Sequence, residues 1–395
     1  MISFDEASAI VRAAARPLGA ETVRLAEAHG RVLAEPVAAE VSAPPADVSA
    51  MDGYAVRDGD LSANPVRLRV IGETFAGSRF SGEIEAGTCV RIFTGAPVPD
   101  GADRVVVQEM VRREDDIAII DERPGPARHI RRAGGDFAKG EVLLEPGSLL
   151  GPRQLVAAAG ADVDALVVWR QPRVIVLGTG DELVAPGSAR NQDEAIPERV
   201  SFGVAALAEQ WGGRCVGRLR LADRIEELEQ GAARALAEAD LVVVTGGASV
   251  GERDFAKAMF EAHGLELLFS KVAIKPGKPV WLGRAAGTLV LGLPGNPTSV
   301  MVTARLFLAP LLAGMTGRDP GEGLRWRQMP LASEAGPVGA RETFARGRAE
   351  GEAVTLASNQ DSSAQKTLAA CDLLVRLRPG DVPVPVGSLA EVIDF

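Results

Sequence analysis

The chain has few residues that bind soft metal ions. Its 395 residues include three cysteines and three histidines, which are Cys89, Cys215, Cys371, His29, His129 and His263. They are scattered, so no Cys-x-x-Cys or His-x-x-x-His spacing exists that would hold zinc or an iron–sulfur cluster. An odd, dispersed set of cysteines also fits a reducing compartment without a disulfide framework. Any metal bound here should therefore be a hard ion with oxygen ligands, which points to Mg²⁺.

Positive charge is also in short supply. The 43 Lys and Arg residues stand against 53 Asp and Glu residues, giving a net charge of -10, whereas a dedicated nucleic-acid-binding protein normally has a basic surplus. No run of about 18 apolar residues occurs, so no membrane-spanning helix is predicted. The first residues are acidic and lack the basic-then-apolar pattern of a signal peptide. We therefore expect a cytoplasmic protein that binds neither nucleic acid nor membranes.

Lysine is rarer still, because only six of the 43 basic residues are lysines. Three of them, Lys271, Lys275 and Lys278, fall within the segment SKVAIKPGKPV. A lysine ammonium binds phosphate or another oxyanion as a point charge, whereas arginine binds it as a planar fork. A solvated basic edge is the alternative, but the apolar residues between these lysines favour an anion site.

The apolar pattern changes several times along the chain, which predicts several domains. Ser3 and Glu6 form a capping-box pattern that should begin a helix. Between residues 50 and 138, short apolar runs separated by Gly and Pro turns predict a small all-β lobe. From Arg173 onward, apolar strands alternate with helices, which predicts a mostly parallel sheet covered on both faces. The predicted units are 1–43 with 139–170 as an elongated helical and linker domain, 44–138 as the β lobe, 171–317 as the α/β domain and 318–395 as a C-terminal β domain.

Three sharp loops follow predicted strands of the α/β domain, at the edge where open parallel sheets bind ligands. They are GTGDE at 178–182, TGGASVG at 245–251 and LPGNP at 293–297. The glycine-rich second loop can present backbone N–H groups to a phosphate. In the third loop, Asn296 and Pro297 also suit the start of an ordinary helix. Pro294 and Gly295 before them would let another group approach the backbone closely.

Four carboxylates, Asp181, Glu182, Asp223 and Asp254, fall in or just after strand-end loops of this domain. A single carboxylate there is usually a cap or a turn residue. Several at one edge, opposite three lysines, indicate a site for Mg²⁺ and phosphate. Close carboxylates repel each other unless a cation is present, which gives the metal a physical reason to bind.

A further motif, SAMDGY at residues 49–54, lies outside that domain and contains the only tyrosine, Tyr54. Its Asp-Gly pair alone would suit a hairpin turn. Taken together, however, seven stretches of the chain resemble the molybdopterin molybdenumtransferases, that is, the MoeA family, which includes the gephyrin E domain. In order they are PPADVSAMDGYAVRDGD, RIFTGAPVPDGADRVVVQE, RRAGGDFAKGE, LGTGDELVAPG, GGASVGERDFAK, KVAIKPGKPVWLG and GLPGNPTS. They run from residue 44 to 299, and RETFARG and SNQDSSAQ extend a weaker resemblance into the C-terminal domain.

The resemblance implies a fold and an activity. The fold is multidomain α/β plus β, with a central three-layer α/β/α (MogA-like) domain and a C-terminal β-barrel. Such enzymes use Mg²⁺ to hydrolyse adenylyl-molybdopterin and insert molybdate into its dithiolene, releasing AMP and Mo-molybdopterin. They form homodimers in which the SAMDGY segment reaches the active-site cleft of the partner subunit, and a molybdopterin adenylyltransferase is the expected upstream partner.

Two other functions are considered beside this one. A non-catalytic molybdopterin-binding scaffold or chaperone could have the same fold. A related nucleotidyl transferase that acts earlier in the pathway would share the α/β domain but lack the SAMDGY lobe, so the sequence disfavours it.

The resemblance and the strand-end loops together assign site residues. We expect Glu182 and Asp254 to bind Mg²⁺, with Asp52 reaching the site from the partner subunit. The residues expected to be catalytic are Asp52, Glu182, Asp223, Asp254, Lys271 and Lys275. Those expected to bind substrate are Thr94, Asp136, Thr179, Gly180, Thr245, Gly246, Gly247, Ser249, Gly251, Lys278, Pro294, Gly295, Asn296, Pro297 and Ser362, with Ser363 as the alternative to Ser362.

The chain departs from the family pattern after Ile196. The family usually has a Ser/Thr-Asn pair that opens the next helix, whereas this chain reads Pro-Glu-Arg-Val-Ser at 197–201. That Asn normally caps the helix or touches the ligand, so we expect the nucleotide contacts near Val200 to differ.

Overall fold

The computed structural model describes residues 1–246 and 255–395. Within these ranges the strands form three six-stranded sheets and four two-stranded ones. This mixture agrees with the predicted multidomain α/β plus β class. The α-helices in the described ranges are Phe4–Ala14, Pro152–Gly160, Val200–Gln210, Ile225–Glu238, Phe255–Glu261, Pro297–Thr303, Ala309–Met315 and Gln365–Ala370.

The N-terminal segment pairs with the chain that returns after the β lobe. Strand Ala20–Arg24 is antiparallel to Ala165–Trp169, and Val37–Ala38 is antiparallel to Val142–Leu144. Two distant stretches of sequence are therefore held together by backbone hydrogen bonds. The residue limits of the four units stay a prediction.

The first helix begins at the predicted capping box. The Ser3 hydroxyl accepts a hydrogen bond from the Glu6 backbone N–H at 3.2 Å, and the Glu6 carboxylate accepts one from the Ser3 N–H at 2.8 Å. These two bonds satisfy N–H groups that a helix start otherwise leaves open. The buried face of this helix, which includes Phe4 and Val11, packs into the core of the α/β domain.

The β lobe is built from the short apolar runs that the sequence suggested. Its six-stranded sheet surrounds Tyr54, which is buried in the lobe core with the Arg91 guanidinium 5.0 Å from the ring centre. The sole tyrosine is therefore a packing residue. In sheet order the strands are Arg104–Val107, Gly53–Val56, Thr88–Ile92, Val66–Thr74, Ile117–Ile120 and Val111–Glu114.

The α/β domain contains the predicted mostly parallel sheet. Only Trp281–Ala285 runs against its neighbours, so the other five strands all end at one edge. Alternate residues of strand Arg173–Thr179 pack into different cores: Val174 and Val176 lie on one side of the sheet, Ile175 and Leu177 on the other. Both faces are therefore covered, as expected for parallel strands. In sheet order the strands are Arg214–Leu221, Arg173–Thr179, Leu241–Thr245, Thr288–Leu293, Trp281–Ala285 and Glu266–Ser270.

A long apolar helix covers one of these faces. It consists of Pro297–Thr303, a π-helical stretch Ala304–Leu308, and Ala309–Met315. Its length and composition would suffice to cross a membrane, but 94% of it is buried inside the protein. It is therefore the core helix of this domain.

The C-terminal sheet includes a piece of the lysine segment. Strand Ile274–Lys275 pairs in parallel with Glu342–Glu350, so the two domains share one sheet. The closed barrel expected for this unit stays a prediction. In sheet order the strands are Ile274–Lys275, Glu342–Glu350, Leu373–Leu377, Leu389–Asp394 and Arg327–Pro330, with Ala353–Leu356 paired to the second.

Candidate functional site

A cavity of about 630 Å³ opens at the edge where the strands of the α/β sheet end. The loops that follow three neighbouring parallel strands form much of its wall. The structure thus brings together most of the site residues predicted in this domain. Those that line the cavity are Thr179, Gly180, Glu182, Asp223, Thr245, Gly246, Pro294, Gly295 and Asn296.

Two glycines let the loops pack backbone against backbone. Gly246 has a φ of +91°, and a Cβ there would lie 2.6 Å from the Thr179 carbonyl oxygen. A Cβ on Gly295 would lie 3.5 Å from the Gly246 Cα. The close approach expected at Pro294-Gly295 is therefore made by the glycine-rich loop itself, and a side chain at residue 246 would be strained.

The environment of Asp223, which lines the cavity, disfavours its ionised form. Burial raises the pKa of Asp223, and the nearby carboxylates of Asp181 and Glu182 raise it further. Asp181 also accepts a hydrogen bond from the Asp223 backbone N–H at 3.0 Å. Among the residues that the structure describes, the buried Asp223 Oδ1 and Thr179 Oγ1 have no hydrogen-bond partner. Unsatisfied buried oxygens beside negative charge favour a cation or a hydrogen-bond-donating ligand.

These oxygens fit a Mg²⁺ ion that is held by few protein ligands. In the described part of the chain, no three His, Cys, Asp or Glu side chains converge into a ready-made metal cage. Mg²⁺ is usually held by one or two carboxylates together with substrate phosphates and water, so a cage is not required. Glu182 supplies one such carboxylate at the cavity wall. The second predicted ligand, Asp254, lies outside the described residues, as do Gly247, Ser249 and Gly251.

The three clustered lysines lie at the rim of this edge and do not line the cavity. Lys271 directly follows strand Glu266–Ser270, which ends at the same edge, and Pro279, next to Lys278, belongs to the cavity wall. Lys275 is drawn toward the C-terminal sheet by strand pairing. All three side chains are exposed, and within 1–246 and 255–395 none of them forms an ion pair. Their charges remain available to an anion at the rim.

Asp52, Thr94 and Asp136 lie outside the α/β domain, and none of them lines the cavity of the same chain. Asp52 Oδ1 accepts hydrogen bonds from the Thr94 backbone N–H at 2.7 Å and the Thr94 hydroxyl at 2.8 Å. These two bonds, in that order, hold the pKa of Asp52 below its usual value, and Arg91 adds to the effect. Asp136 is exposed in a turn whose backbone bonds to Ala43.

The predicted helix start at Asn296 differs from the expected cap. Asn296 occupies the N-cap position with Pro297 next to it, but its side chain makes no capping bond. Instead, the amide donates to the Ser362 hydroxyl at 2.8 Å, and the Thr298 backbone N–H donates to the Ser362 carbonyl at 3.0 Å. Ser362 therefore reaches the cavity edge through Asn296, whereas Ser363 bonds to Asp361.

Sequence reasoning missed the buried Arg346, which holds this contact in place. Its guanidinium donates to the Thr298 hydroxyl at 3.2 Å, the Asn359 carbonyl at 3.2 Å and the Gln360 side-chain oxygen at 3.3 Å. The side chain is 1% exposed, so these bonds compensate the burial of a charge. The RETFARG motif contained the residue, but nothing in the motif signalled its distant partners.

Glu198 was also missed as a cap. Its buried carboxylate accepts hydrogen bonds from the Ser201 backbone N–H at 2.9 Å and the Ser201 hydroxyl at 2.6 Å. The N-cap residue of helix Val200–Gln210 is Arg199, whose side chain makes no capping bond, so Glu198, one residue before it, satisfies the Ser201 N–H instead. The order Glu-x-x-Ser is the reverse of a capping box, so no standard sequence signal marked this contact.

Two protein-family models match successive parts of the chain. Residues 2–161 match the "MoeA N-terminal region (domain I and II)", and residues 175–314 match the "Probable molybdopterin binding domain". The second match spans nearly all of the domain that contains the cavity. The fold and the site therefore define a MoeA-type protein with a probable molybdopterin-binding domain.

Relatives that match most or all of the chain define the class more closely. "Molybdopterin molybdenumtransferase" from Haemophilus influenzae is 38% identical over 88% of this chain and 84% of its own length. "Molybdopterin molybdenumtransferase 2" from Mycobacterium tuberculosis is 35% identical over 100% of both chains. The crystal structure of the molybdopterin biosynthesis moeA protein from Pyrococcus horikoshii has a TM-score of 0.85 at 27% identity, covering 100% of both chains. The chain belongs to the molybdopterin molybdenumtransferase family, and is a transferase of molybdenum cofactor biosynthesis.

Proposed function

We propose that the chain hydrolyses adenylyl-molybdopterin and inserts molybdate into its dithiolene, releasing AMP and Mo-molybdopterin. Water adds to the phosphorus of the adenylyl group, the bond from that phosphorus to the bridging oxygen breaks, and AMP leaves. Molybdate is the second substrate: the two dithiolene sulfurs bind its molybdenum, and one oxo ligand leaves as water with the two thiol protons, so the molybdenum is not reduced. The observation that carries the proposal is the cavity in which three strand-end loops meet Glu182 and Asp223.

The loops and the lysine rim have complementary roles in binding. Backbone N–H groups of the glycine-rich loops suit phosphate oxygens that approach the ends of parallel strands. The exposed ammonium groups of Lys271, Lys275 and Lys278 suit molybdate or pyrophosphate oxyanions at the rim. Substrate therefore binds with its anionic middle at the edge of the sheet.

Mg²⁺ is the metal that this donor set supports, because every available side-chain ligand at the cavity is an oxygen. Glu182 would hold it, with Asp254 as the second protein ligand. When bound, the ion supplies a Lewis acid that offsets phosphate charge. Asp223 lies close enough to Glu182 to interact with it, so the same positive charge would stabilise the Asp223 carboxylate.

Asp52 and Thr94 complete the site from the partner subunit of a homodimer. The Thr94 bonds keep Asp52 ionised on the lobe, although the cavity of its own chain does not include it. A fixed carboxylate without a role in its own subunit suits a shared cleft. Because the substrate is already adenylylated, an adenylyltransferase acting on molybdopterin must supply it.

The test is AMP release from adenylyl-molybdopterin in the presence of Mg²⁺ and molybdate. Glu182→Ala and Asp254→Ala should each lower the rate at least about a hundredfold, because each removes charge stabilisation at the reacting phosphate. Asp193→Ala, at an exposed acidic residue that does not line the cavity, is the matched control.

Undiminished release by both metal-site variants would contradict the assignment of the metal ligands. Tight substrate binding by the wild-type chain without any AMP release would instead favour the molybdopterin-binding scaffold. Sedimentation equilibrium tests the homodimer, and a monomer at assay concentration would contradict the shared cleft.

A further inference from the structure

Arg199 lies at the wall between two neighbouring cavities. Beside the strand-end cavity, another of about 650 Å³ opens between helix Val200–Gln210 and the C-terminal helix Gln365–Ala370. Arg199 and Val200 line both. The wall of the neighbouring cavity is largely apolar, with Leu207 and Leu368 among its side chains. A ligand that has an anionic part and a planar apolar part could occupy both sides of Arg199.

The guanidinium of Arg199 is incompletely satisfied. Its Nη1 donates to the Pro197 carbonyl at 3.1 Å, while its buried Nε has no partner among the residues that the structure describes. A buried donor without an acceptor is energetically unfavourable. A small rotation of the side chain would present Nε and Nη2 to an anion in the cavity and recover this energy as a bidentate contact.

The adjacent carboxylate of Glu198 forms no ion pair with Arg199. Each of its oxygens accepts a hydrogen bond from Ser201, at 2.9 and 2.6 Å. No other described carboxylate pairs with Arg199 either. Its positive charge therefore remains available beside a cavity that Glu182 and Asp223 also line.

Backbone hydrogen bonds fix the segment that carries Arg199 to the candidate active site. The Ile196 N–H donates to the Glu182 carbonyl at 2.8 Å, and the Glu198 N–H donates to the Val184 carbonyl at 2.7 Å. The backbone of Arg199 is therefore held two residues after a strand pair that begins beside Glu182. Such a short, hydrogen-bonded connection positions a charge reproducibly.

We propose that Arg199 binds a phosphate oxygen of the substrate and directs the attached planar heterocycle into the apolar cavity. The proposal rests on the proposed function and adds to it a residue that determines substrate specificity. The recognised group is a phosphate attached to a heterocycle. It is either the adenylyl phosphate or the phosphate on the pterin side.

The test is calorimetric titration of the full-length protein with AMP, neopterin monophosphate and adenosine, in the presence of Mg²⁺. Arg199→Gln should weaken binding of at least one phosphate compound roughly tenfold or more, and should leave adenosine binding unchanged. Whichever phosphate compound is weakened identifies the recognised end of the substrate. Arg199→Lys, which keeps the charge but loses the planar fork, should have a smaller effect.

Arg190→Gln is the matched control, because Arg190 is exposed on the same loop, bonds only to a backbone carbonyl and lines neither cavity. Unchanged affinity for both phosphate compounds in Arg199→Gln would overturn the assignment. An equal loss for adenosine would do the same, since it would indicate a structural role. A wild-type chain that binds neither phosphate compound would refute the proposed function as well. The titration of the wild-type chain alone reveals that outcome, so it is distinguished from a failure of the Arg199 assignment.

Discussion

Two carboxylates of the candidate site, Asp223 in the α/β domain and Asp52 in the β lobe, have opposite environments. The pKa of Asp223 is raised by burial and by Asp181 and Glu182. The pKa of Asp52 is lowered, mainly by the backbone and hydroxyl donors of Thr94. One acid is thus destabilised as an anion, and the other is stabilised as one.

The difference shows that the α/β cavity requires a cation or a hydrogen-bond donor, whereas the β lobe requires only a position close to the reacting groups. An unsatisfied oxygen on Asp223 leaves the α/β cavity incomplete until a cation or donor arrives. Asp52 is already satisfied and only has to be brought to the reacting groups. The α/β domain therefore resembles a binding site with its charge still to be balanced, and the lobe resembles a preorganised group to be delivered to it.

The strongest test of this comparison changes both acids separately. Asp223→Asn and Asp52→Asn should each reduce AMP release at least about a hundredfold, because one alters the metal and phosphate environment and the other removes a fixed charge. They should differ in stability. A raised pKa means that folding disfavours the ionised form, so Asp223→Asn should leave the Tm unchanged or higher. Stabilisation of the protein by Mg²⁺ should be weaker in that variant, because one negative charge beside the metal ligand Glu182 is removed.

Mixing the two inactive variants tests whether the acids meet across a dimer. Random reassociation gives mixed dimers in which one of two clefts has both acids intact, so about a quarter of wild-type activity should return. Activity that stays at the level of the separate variants would contradict the shared cleft. Normal activity of Asp52→Asn alone would remove the lobe from the reaction altogether.

The parts of the site that could be predicted are those fixed by local sequence. Strand-end loops were predictable because an apolar run followed by Gly or Pro marks where a buried strand stops, and parallel strands stop at a common edge. Gly246 and Gly295 belong to such loops and do meet. The Ser3–Glu6 capping box was predictable for the same reason, since its bonds span three residues.

Contacts between distant segments could not be predicted in this way. Nothing near Lys275 indicates that its strand will pair with Glu342–Glu350, more than sixty residues later. Likewise, the side chain of Asn296 bonds Ser362 across a domain contact instead of capping its own helix. Such pairings depend on how whole domains pack, and local propensity carries no information about them.

A variant of Arg346 tests how far the cavity of the α/β domain depends on the C-terminal domain. Arg346→Ala removes three hydrogen bonds and leaves the acceptors on Thr298, Asn359 and Gln360 without this partner. We expect a loss of about 2 kcal/mol in the free energy of unfolding, with weaker AMP binding because the Ser362 contact loosens. Arg348→Ala, at an exposed position on the same strand, is the control for denaturant melts. Equal stability of the two variants would show that the buried network is dispensable.

The smallest expected effect concerns the Asp52–Thr94 pair itself. Thr94→Val removes the hydroxyl donor but keeps the backbone donor, which contributes more to the lowered pKa. The pKa of Asp52 should therefore rise part of the way to its usual value, as NMR titration of the carboxyl carbon would measure. Asp47, whose pKa is held low by the Ala133 backbone, is an internal control that should not move.

The sign of the accompanying stability change follows from linkage. A depressed pKa stabilises the folded chain above the unfolded-state pKa, and this contribution is lost as the pH falls through the folded-state pKa. Thr94→Val should therefore be slightly less stable than the wild type at neutral pH, and the two should converge in acid. A stability difference that persists undiminished below the pKa of Asp52 would assign the Thr94 hydroxyl to packing. In that case the backbone N–H of Thr94 alone would be the Thr94 group that stabilises the Asp52 carboxylate.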